Sequence, residues 1–457
     1  MAAKQSQEER QSLLMTKNRN QSSRGVLELA AAVLIWASIL TSSFDIVLSF
    51  ELAGVTVRAT QLLAAAVFAL FLTELVRGKK PRIPVSYGNL AVVLVFNTLW
   101  IFRARSFSNA LGYDLWLAFN ILEILVFSHF LSRAESLNSL IQKYILCFDI
   151  LAAIGIVQFL LEFADIRFFA VQFGETPYGL MRRANGFTYE PSYYATYMLI
   201  GCAACLYLLE KRNFQAMDKR MLYISTALNV TALTVSTSRM GWLLLAAYLI
   251  YRSVLGTVRY IRRSKKNKAE LAKLLVVPLL VLLLAGAVLL GLKKGSTFAR
   301  VYTQGFGLDG DAKSAGPRLI GLVNTWTVFK NSPLLGCSLG GLDSEIAFAL
   351  GVTSYTPDMN GDYSMCVSVE ALAAYGLIGA CFFFKYIYDT TVGCYARTRS
   401  SQLLNEGEKQ LIYALLLGHV LVFAALQMNQ NILRQPYWAH LAVLSAAWMK
   451  QFVKDRR

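Results

Sequence analysis

The sequence predicts an all-α fold, a polytopic integral membrane bundle of about twelve transmembrane helices. Of the 457 residues, 56% are hydrophobic and only 16% are charged. The mean hydropathy is +0.46. Soluble domains have about 45–50% apolar and about 25% charged residues. The surplus apolar surface of this chain must therefore face lipid.

Twelve apolar stretches approach the length of about 20 residues that a helix needs to cross a bilayer. They lie at 26–48, 57–76, 86–102, 114–132, 144–163, 191–209, 221–237, 240–257, 274–292, 366–388, 411–428 and 437–452. The first has no cleavage site after it, so we expect a retained span. The seventh carries polar residues that we expect to face the bundle interior. These are Ser225, Thr226, Asn229, Thr231, Thr234 and Ser236.

Lysines and arginines in the short loops predict the orientation, because they collect on the cytoplasmic side. With the amino terminus inside, the basic runs all become cytoplasmic; they lie at 77–82, 211–220, 252–273 and 454–457. Both termini are then cytoplasmic. The chain divides into a tail (1–25), spans one to nine (26–292), an extracytoplasmic loop (293–365), spans ten to twelve (366–452) and a tail (453–457).

The net charge of +17 follows from this membrane asymmetry. Without a nucleic-acid-binding motif, we expect no nucleic-acid partner.

The loop at 293–365 is unusually long, and long connections of this kind are generally functional. Its segment Gly316 to Phe329 spaces apolar residues as a helix does, which predicts an interfacial helix. A loosely ordered loop is the alternative. Cys337 and Cys366 are the cysteines expected outside the membrane, and the sequence leaves open whether they form a disulfide.

A few arginines lie on the predicted outer side, against the general charge bias, most notably Arg183, Arg239 and Arg318, with Arg434 in the last outer loop. A guanidinium is a permanently charged planar fork that can hold a phosphate through two hydrogen bonds. The set therefore suits a diphosphate at headgroup depth. Binding of lipid phosphates, with the arginine stems buried in the membrane, is the alternative.

Arg183, Arg239 and Arg318 lie in short segments that carry a family resemblance. In chain order these are Arg183–Ser192 (RANGFTYEPS), Ser238–Trp242 (SRMGW), Arg318 with Trp326 and Pro333–Gly340 (PLLGCSLG), and Glu370–Gly379 (EALAAYGLIG). Together they resemble the O-antigen polymerase and ligase superfamily of bacterial envelope glycan assembly. The resemblance covers roughly residues 180 to 390.

The resemblance implies a glycosyltransferase of the bacterial inner membrane, acting on its extracytoplasmic side. Such an enzyme polymerises polyprenyl-diphosphate-linked oligosaccharide repeat units by inverting, metal-independent transfer, without a cofactor. The matched arginines would bind the substrate diphosphate. The expected partners are this lipid-linked oligosaccharide, membrane lipids and a polysaccharide chain-length regulator or other assembly protein. An O-antigen ligase and a 12-span transporter or flippase are the alternatives.

The resemblance also bears on the general base. Ligases of the superfamily carry a histidine near the position of Met365, and the long loop contains none. Glu190, in an Glu-Pro-Ser sequence that capsule polymerases often show, is the first candidate base and Asp362 the second. The alternative for Glu190 is pairing with Arg183 or capping of the sixth span.

Aromatic residues on the outer side can stack on sugar rings, and Tyr189, Tyr194 and Trp326 are the candidates for glycan contacts. An interfacial aromatic belt would explain many such residues without any ligand.

Overall fold

The computed structural model describes residues 25–52, 55–162, 164–170, 173–176, 179–181, 183–262, 315–352, 366–428 and 432–453. Within these residues the chain is mainly helical. The helices are α1 (Gly25–Thr41), α2 (Ala59–Val76), α3 (Tyr87–Ile101), α4 (Phe107–Ala134), α5 (Leu137–Glu162), α6 (Pro191–Lys211), α7 (Lys219–Val235), α8 (Arg239–Arg262), α9 (Ala315–Asn331), α10 (Leu342–Ala349), α11 (Val367–Tyr388), α12 (Cys394–Ser400), α13 (Glu406–Leu426) and α14 (Gln435–Val453). A π-helical turn, Asp389–Gly393, joins α11 to α12.

Seven helical segments of the described residues are long and apolar enough to cross a membrane. They are α2, α4, α5, α6, α8, the continuous segment Val367–Ser400 and α13, and α1 and α3 are shorter apolar helices. This supports a membrane-embedded helical protein. The predicted ninth span, 274–292, lies outside the described residues. So do residues 1–24 and 454–457, which make up nearly all of the two predicted tails.

Two antiparallel hairpins interrupt the helical pattern. The first pairs β1 (Ser49–Leu52) with β2 (Val55–Arg58), and the second pairs β3 (Phe173–Thr176) with β4 (Gly179–Met181). Neither hairpin was predicted from the sequence. The first hairpin follows α1 along the chain, and the second follows α5.

The predicted first span, 26–48, is too long at its carboxyl end, because α1 stops at Thr41. The next residues leave the helix and bond elsewhere. The backbone N–H groups of Asp45 and Ile46 both donate to the Phe187 carbonyl, at 2.8 and 3.0 Å. A tertiary partner therefore replaces the helical hydrogen bonds at this point.

The polar residues of α7 face the interior only in part. Ser225 and Asn229 are buried and donate to the Asp149 carboxylate at 2.6 and 2.8 Å. Thr231 and Thr234 are exposed, so the expectation was wrong for them. The Thr234 hydroxyl donates to the carbonyl of Val230 in its own helix, at 2.8 Å, which allows it to face an apolar medium.

Helix α11 is kinked at Gly376, where φ is 61° and ψ is −175°. The chain that follows α9 forms backbone hydrogen bonds with α11 at the kink. Leu377 N–H donates to the Pro333 carbonyl at 2.8 Å, and Ser338 N–H donates to the Ala374 carbonyl at 3.0 Å. The third and fourth segments of the family resemblance are thus interlocked through their backbones. These bonds give backbone groups at the kink the partners that an apolar environment demands.

The predicted interfacial helix, Gly316 to Phe329, is confirmed as a helix and corresponds to α9. One face of α9 packs against α11. Leu319, Val323 and Trp326 are exposed, by 63%, 56% and 44%. An apolar face left open in this way is the feature expected of a helix at the lipid interface.

Among the described residues no disulfide forms. The Cys337 thiol lies 3.5 Å from the Ala373 carbonyl, and the Cys366 thiol lies 3.5 Å from Gln427 Oε1. The two cysteines have separate surroundings.

Candidate functional site

A cavity of about 660 Å³ opens at the end of the bundle where α1 ends and where α2, α4, α6 and α14 begin. Its lining combines charged, polar and aromatic side chains. The lining residues are Ser42, Asp45, Thr56, Arg58, Ser108, Asn109, Gly112, Tyr113, Trp116, Tyr189, Tyr197, Leu433, Arg434, Gln435 and Pro436. A space of this size and character can hold an oligosaccharide unit or a comparable polar ligand.

Two guanidiniums meet one carboxylate on the cavity wall. Arg58 Nη2 lies 3.4 Å from Asp45 Oδ1, and Arg434 Nη1 lies 3.9 Å from Asp45 Oδ2. The side chains of Arg58 and Arg434 are each 19% exposed, whereas Asp45 is nearly inaccessible. Burial raises the pKa of Asp45, although both guanidiniums act to lower it. One carboxylate cannot neutralise two arginines, so the cluster carries a net positive charge that favours an anion.

Aromatic rings hold both guanidiniums in place. The Arg58 guanidinium lies 5.9 Å from the ring centroids of both Trp116 and Tyr189. Arg434 lies 3.6 Å above the ring of Tyr193. These contacts restrict the two long side chains before any ligand arrives.

Local structure explains why Arg58 reaches the cavity. It ends β2 and is the residue before α2, with extended backbone angles. Its N–H donates to the side chain of Gln61 at 2.8 Å, which fixes the start of the helix. The β1–β2 hairpin thus places an arginine directly before an apolar helix.

The segment at 183–190, the first segment of the family resemblance, is a tightly bonded loop beside the cavity. Asn185 N–H donates to Gln158 Oε1, and Gln158 Nε2 donates to the Gly186 carbonyl, both at 2.9 Å. The Thr188 hydroxyl lies 2.7 Å from the Glu190 carbonyl, to which it donates. A buried glutamine of α5 therefore orders this loop and, with it, Tyr189 on the cavity wall.

Arg183 and Arg239 form a second basic cluster behind this loop. Arg183 Nε donates to Thr237 Oγ1 at 2.7 Å, which joins the loop to the turn between α7 and α8. Burial, and then the neighbouring Arg239, lower the pKa of Arg183 to about 10, while Glu190 acts in the opposite direction. Neither arginine lines the cavity in this conformation.

Glu190 links the two regions, since it follows Tyr189 and precedes α6. Its side chain accepts a hydrogen bond from the Ser192 hydroxyl at 2.8 Å and accepts none from a backbone N–H group of the first helical turn. Capping, one alternative for this residue, is therefore not its arrangement here.

The other predicted site residues fall in different places. Tyr189 and Arg434 line the cavity. Tyr194 is only 1% exposed, and its hydroxyl donates to the Leu151 carbonyl at 2.9 Å, so it packs inside the bundle. Trp326 lies on the open face of α9, with its ring centroid 4.9 Å from that of Phe329. The side chain of Arg318 and all of Asp362 lie outside the described residues.

A small pocket behind the cavity holds two carboxyl groups that the sequence analysis did not single out, Asp343 and Glu370. Tyr113 and Leu433 line both spaces. Burial raises the pKa of Asp343 to about 7. Asp343 can therefore exchange a proton near neutral pH, which is a property of general acids and bases.

Arg58 and Asp45 were also missed. Arg58 begins the predicted second span at its outer end, so the criterion that selected the other outer arginines applies to it equally. Asp45 lay inside the predicted first span, 26–48, and only the early end of α1 makes it a surface residue of the cavity.

No protein-family model matches the chain, and no curated protein matches it with significant similarity.

Proposed function

We propose that this protein is a membrane glycosyltransferase that joins polyprenyl-diphosphate-linked oligosaccharide units into an envelope or extracellular polysaccharide. The observation that carries the proposal is the cavity in which Arg58 and Arg434 face an oligosaccharide-sized space beside Trp116 and Tyr189. Anion binding and ring stacking are the two contacts that a diphosphate-linked glycan requires. Of the segments resembling the polymerase and ligase superfamily, the first contributes Tyr189 to the cavity wall, and Gly340 of the third accepts a hydrogen bond from Asn109 of that wall at 3.0 Å.

The charge on the cavity wall suits the chemistry of this transfer. As the glycosidic bond to the carrier breaks, negative charge grows on the leaving diphosphate. Guanidiniums already held in place stabilise that charge more in the transition state than in the bound substrate. Arg58 and Arg434 are such groups, and Arg183, Arg239 and Arg318 belong to the same proposed binding face. No metal or cofactor is needed for this role.

Glu190 is the proposed general base. Glu190 directly follows Tyr189 of the cavity wall in the chain, and the Ser192 hydroxyl is its side-chain hydrogen-bond partner among the described residues. An acceptor sugar hydroxyl at that position would deliver its proton to the carboxylate as its oxygen attacks the anomeric carbon. The carrier diphosphate leaves from the opposite face, which gives inversion. Asp362 remains the second candidate from the sequence.

The proposed setting is the bacterial inner membrane, with twelve spans, cytoplasmic termini and the cavity on the extracytoplasmic side. All five helix ends that form the cavity belong to α1, α2, α4, α6 and α14, and the charge-based topology puts every one of them outside. A cysteine replacing Glu51 on β1 should react with an impermeant thiol reagent in intact cells, once the accessible native cysteines are replaced. A cysteine replacing Lys265 should not.

Membrane lipids and the lipid-linked oligosaccharide are the proposed partners, and a chain-length regulator is a further one. The apolar open face of α9 suits lipid contact at the interface, where the polyprenyl chain of the donor would also lie.

The test of the function is incubation of purified protein in lipid nanodiscs with the polyprenyl-diphosphate-linked repeat unit of its host. A ladder of products of increasing length supports polymerase. A single transfer to another acceptor lipid would indicate a ligase instead. Movement of the intact substrate across a vesicle membrane without any product would indicate a transporter or flippase.

A further inference from the structure

Three basic side chains from two helices meet at the end of the bundle opposite the cavity. They are Lys211, the last residue of α6, and Arg252 and Arg259 in the second half of α8. Helix α6 begins beside the cavity and has 21 residues, so its end lies about 30 Å from its start. The charge-based topology proposed above puts this end at the cytoplasmic surface. The basic cluster is therefore separate from the proposed glycan site.

One carboxylate joins two of these cations. Glu210 forms an ion pair with Arg252, and Lys211 Nζ lies 3.5 Å from Glu210 Oε1. Lys211 Nζ also lies 5.6 Å from the ring centroid of Tyr207, one turn earlier in α6. The side chains of Lys211 and Arg252 are 27% and 19% exposed. These contacts hold both cations at one place between α6 and α8, within reach of a ligand.

The positive charge of the basic cluster exceeds what Glu210 can neutralise. Arg259 is exposed and lies close enough to repel both Lys211 and Arg252 electrostatically. Within the part of the chain that the structure describes, no salt bridge reaches Arg259. Three positive charges and one negative charge leave an excess of two. An anion bound here would relieve the repulsion among the three side chains.

The surface of α8 beside the basic cluster is apolar. Tyr251, Val254 and Val258 are 59%, 55% and 39% exposed. Helical periodicity places them in one apolar stripe, next to the face that carries Arg252 and Arg259. The described helices leave this stripe uncovered. An apolar stripe beside a basic cluster at headgroup depth matches the two parts of a phospholipid, an acyl chain and a charged headgroup.

The stripe and the cluster together decide the class of anion. A soluble phosphate would use the charges and leave the stripe uncovered. An acidic segment of a partner protein would have to displace lipid from a membrane-spanning helix. A zwitterionic lipid carries its own positive charge and so cannot offset the excess of two. An anionic phospholipid satisfies both features at once.

We propose that the basic cluster of Lys211, Arg252 and Arg259 binds the headgroup of an anionic phospholipid of the cytoplasmic leaflet, while an acyl chain lies along the apolar stripe. The bound lipid joins the ends of α6 and α8 and stabilises them against each other. The site does not depend on the proposed glycosyltransferase activity. Its test therefore uses binding and stability alone.

The experiment measures thermal unfolding of the purified full-length protein in detergent with added dioleoyl-phosphatidylglycerol or dioleoyl-phosphatidylcholine. We expect the anionic phosphatidylglycerol to raise the unfolding midpoint saturably and the zwitterionic phosphatidylcholine to leave it unchanged. Soluble glycerol phosphate should also have no effect, because it cannot use the apolar stripe. Native mass spectrometry should retain phosphatidylglycerol on the wild-type protein.

Arg259→Gln removes the exposed cation without breaking a described ion pair, so the variant should fold normally. It should raise the phosphatidylglycerol concentration for half the midpoint shift by about fivefold, the effect of one basic residue beside an anionic lipid. Lys219→Gln is the matched control, since Lys219 is an exposed cation that begins α7, at the same end of the bundle. This variant should respond to phosphatidylglycerol as the wild type does.

Three results would overturn the proposal. An equal midpoint shift from phosphatidylcholine would show that the headgroup charge is not recognised. An equal shift from glycerol phosphate would assign a soluble anion to the basic cluster. Equal weakening in Lys219→Gln and Arg259→Gln would show that lipid responds to the charge of the whole surface and not to this cluster.

Discussion

The Arg58 guanidinium lies 3.4 Å from the Asp45 carboxylate, between an outer hairpin and the end of the first helix. Arg434 approaches the same carboxylate from the last helix. Asp45 thus holds together two cations that would otherwise repel each other on the cavity wall. An arriving diphosphate would meet a site that is already assembled, and this reduces the reorganisation needed during the reaction.

Neutralising either cavity arginine should nearly abolish polymer formation. For Arg58→Gln or Arg434→Gln we expect a loss on the order of 10²–10³-fold in turnover, the usual effect of removing one preorganised donor. Lysine at either position should restore little, because it lacks the planar fork. Product ladders from equal amounts of purified protein measure the effect. Arg105→Gln is the control, since Arg105 pairs with Glu345 at 3.0 Å and does not line the cavity.

Glu190→Gln keeps the shape of the side chain and removes its basicity. We expect turnover to fall by about 10²–10⁴-fold, the contribution typical of a general base, with unchanged binding of the lipid-linked donor. Glu51→Gln should behave as wild type. Normal polymerisation by Glu190→Gln would exclude Glu190 as the base and direct attention to Asp362 and Asp343.

The kink in α11 should tolerate no side chain at Gly376. Its backbone angles lie in a region that is essentially restricted to glycine, and an added Cβ would overlap the Leu334 backbone. Gly78 has a φ of +74° but open space around it. Gly78→Ala should therefore cost only about 1–2 kcal/mol, while Gly376→Ala should prevent recovery of folded protein. Equal unfolding midpoints for these two variants in detergent would contradict the interlocked arrangement.

Asp343 should make stability depend on pH. Burial raises its pKa from 3.8 to about 7, so the folded protein holds this proton more tightly than the unfolded chain does. The contribution of Asp343 to stability is complete below about pH 4 and declines as the pH rises through 7. Asp343→Asn should lack this decline. Unfolding midpoints of both proteins between pH 5 and 8 measure it, and parallel curves would show that Asp343 has no raised pKa.

The helical membrane character could be predicted from the sequence, because a long apolar run indicates a membrane-spanning helix. Two structural details differed from the prediction, one because of a tertiary contact and one because of a local hydrogen bond. The end of α1 at Thr41 depends on the Phe187 carbonyl, far away in the chain. The outward position of Thr234 depends on a hydrogen bond within its own helix, which satisfies a residue that otherwise suggests burial.

The types of residue that form the candidate site could be predicted from the sequence. Which particular residues come together there could be predicted less well. Outer arginines pointed to an anion site, and Arg434 lines the cavity as expected of such a group. The pairing with Arg58 required knowledge of which helix ends meet. Tyr194 shows the converse, because an outer aromatic at a span end can turn inward and bond the Leu151 carbonyl. Periodicity alone cannot distinguish the two outcomes.

The central claim is that glycan units are joined in the cavity, and Gly112 allows it to be tested directly. Gly112 lines the cavity, and nothing lies within 4 Å of a Cβ added there, so Gly112→Trp fills the space without disturbing the bundle. Gly88 on α3 has equally open surroundings and does not line the cavity. With purified protein and lipid-linked repeat units, wild type and Gly88→Trp should produce the same product ladder, and Gly112→Trp, equally well folded, should produce none. A full ladder from Gly112→Trp would contradict the assignment of the cavity as the site of glycan transfer.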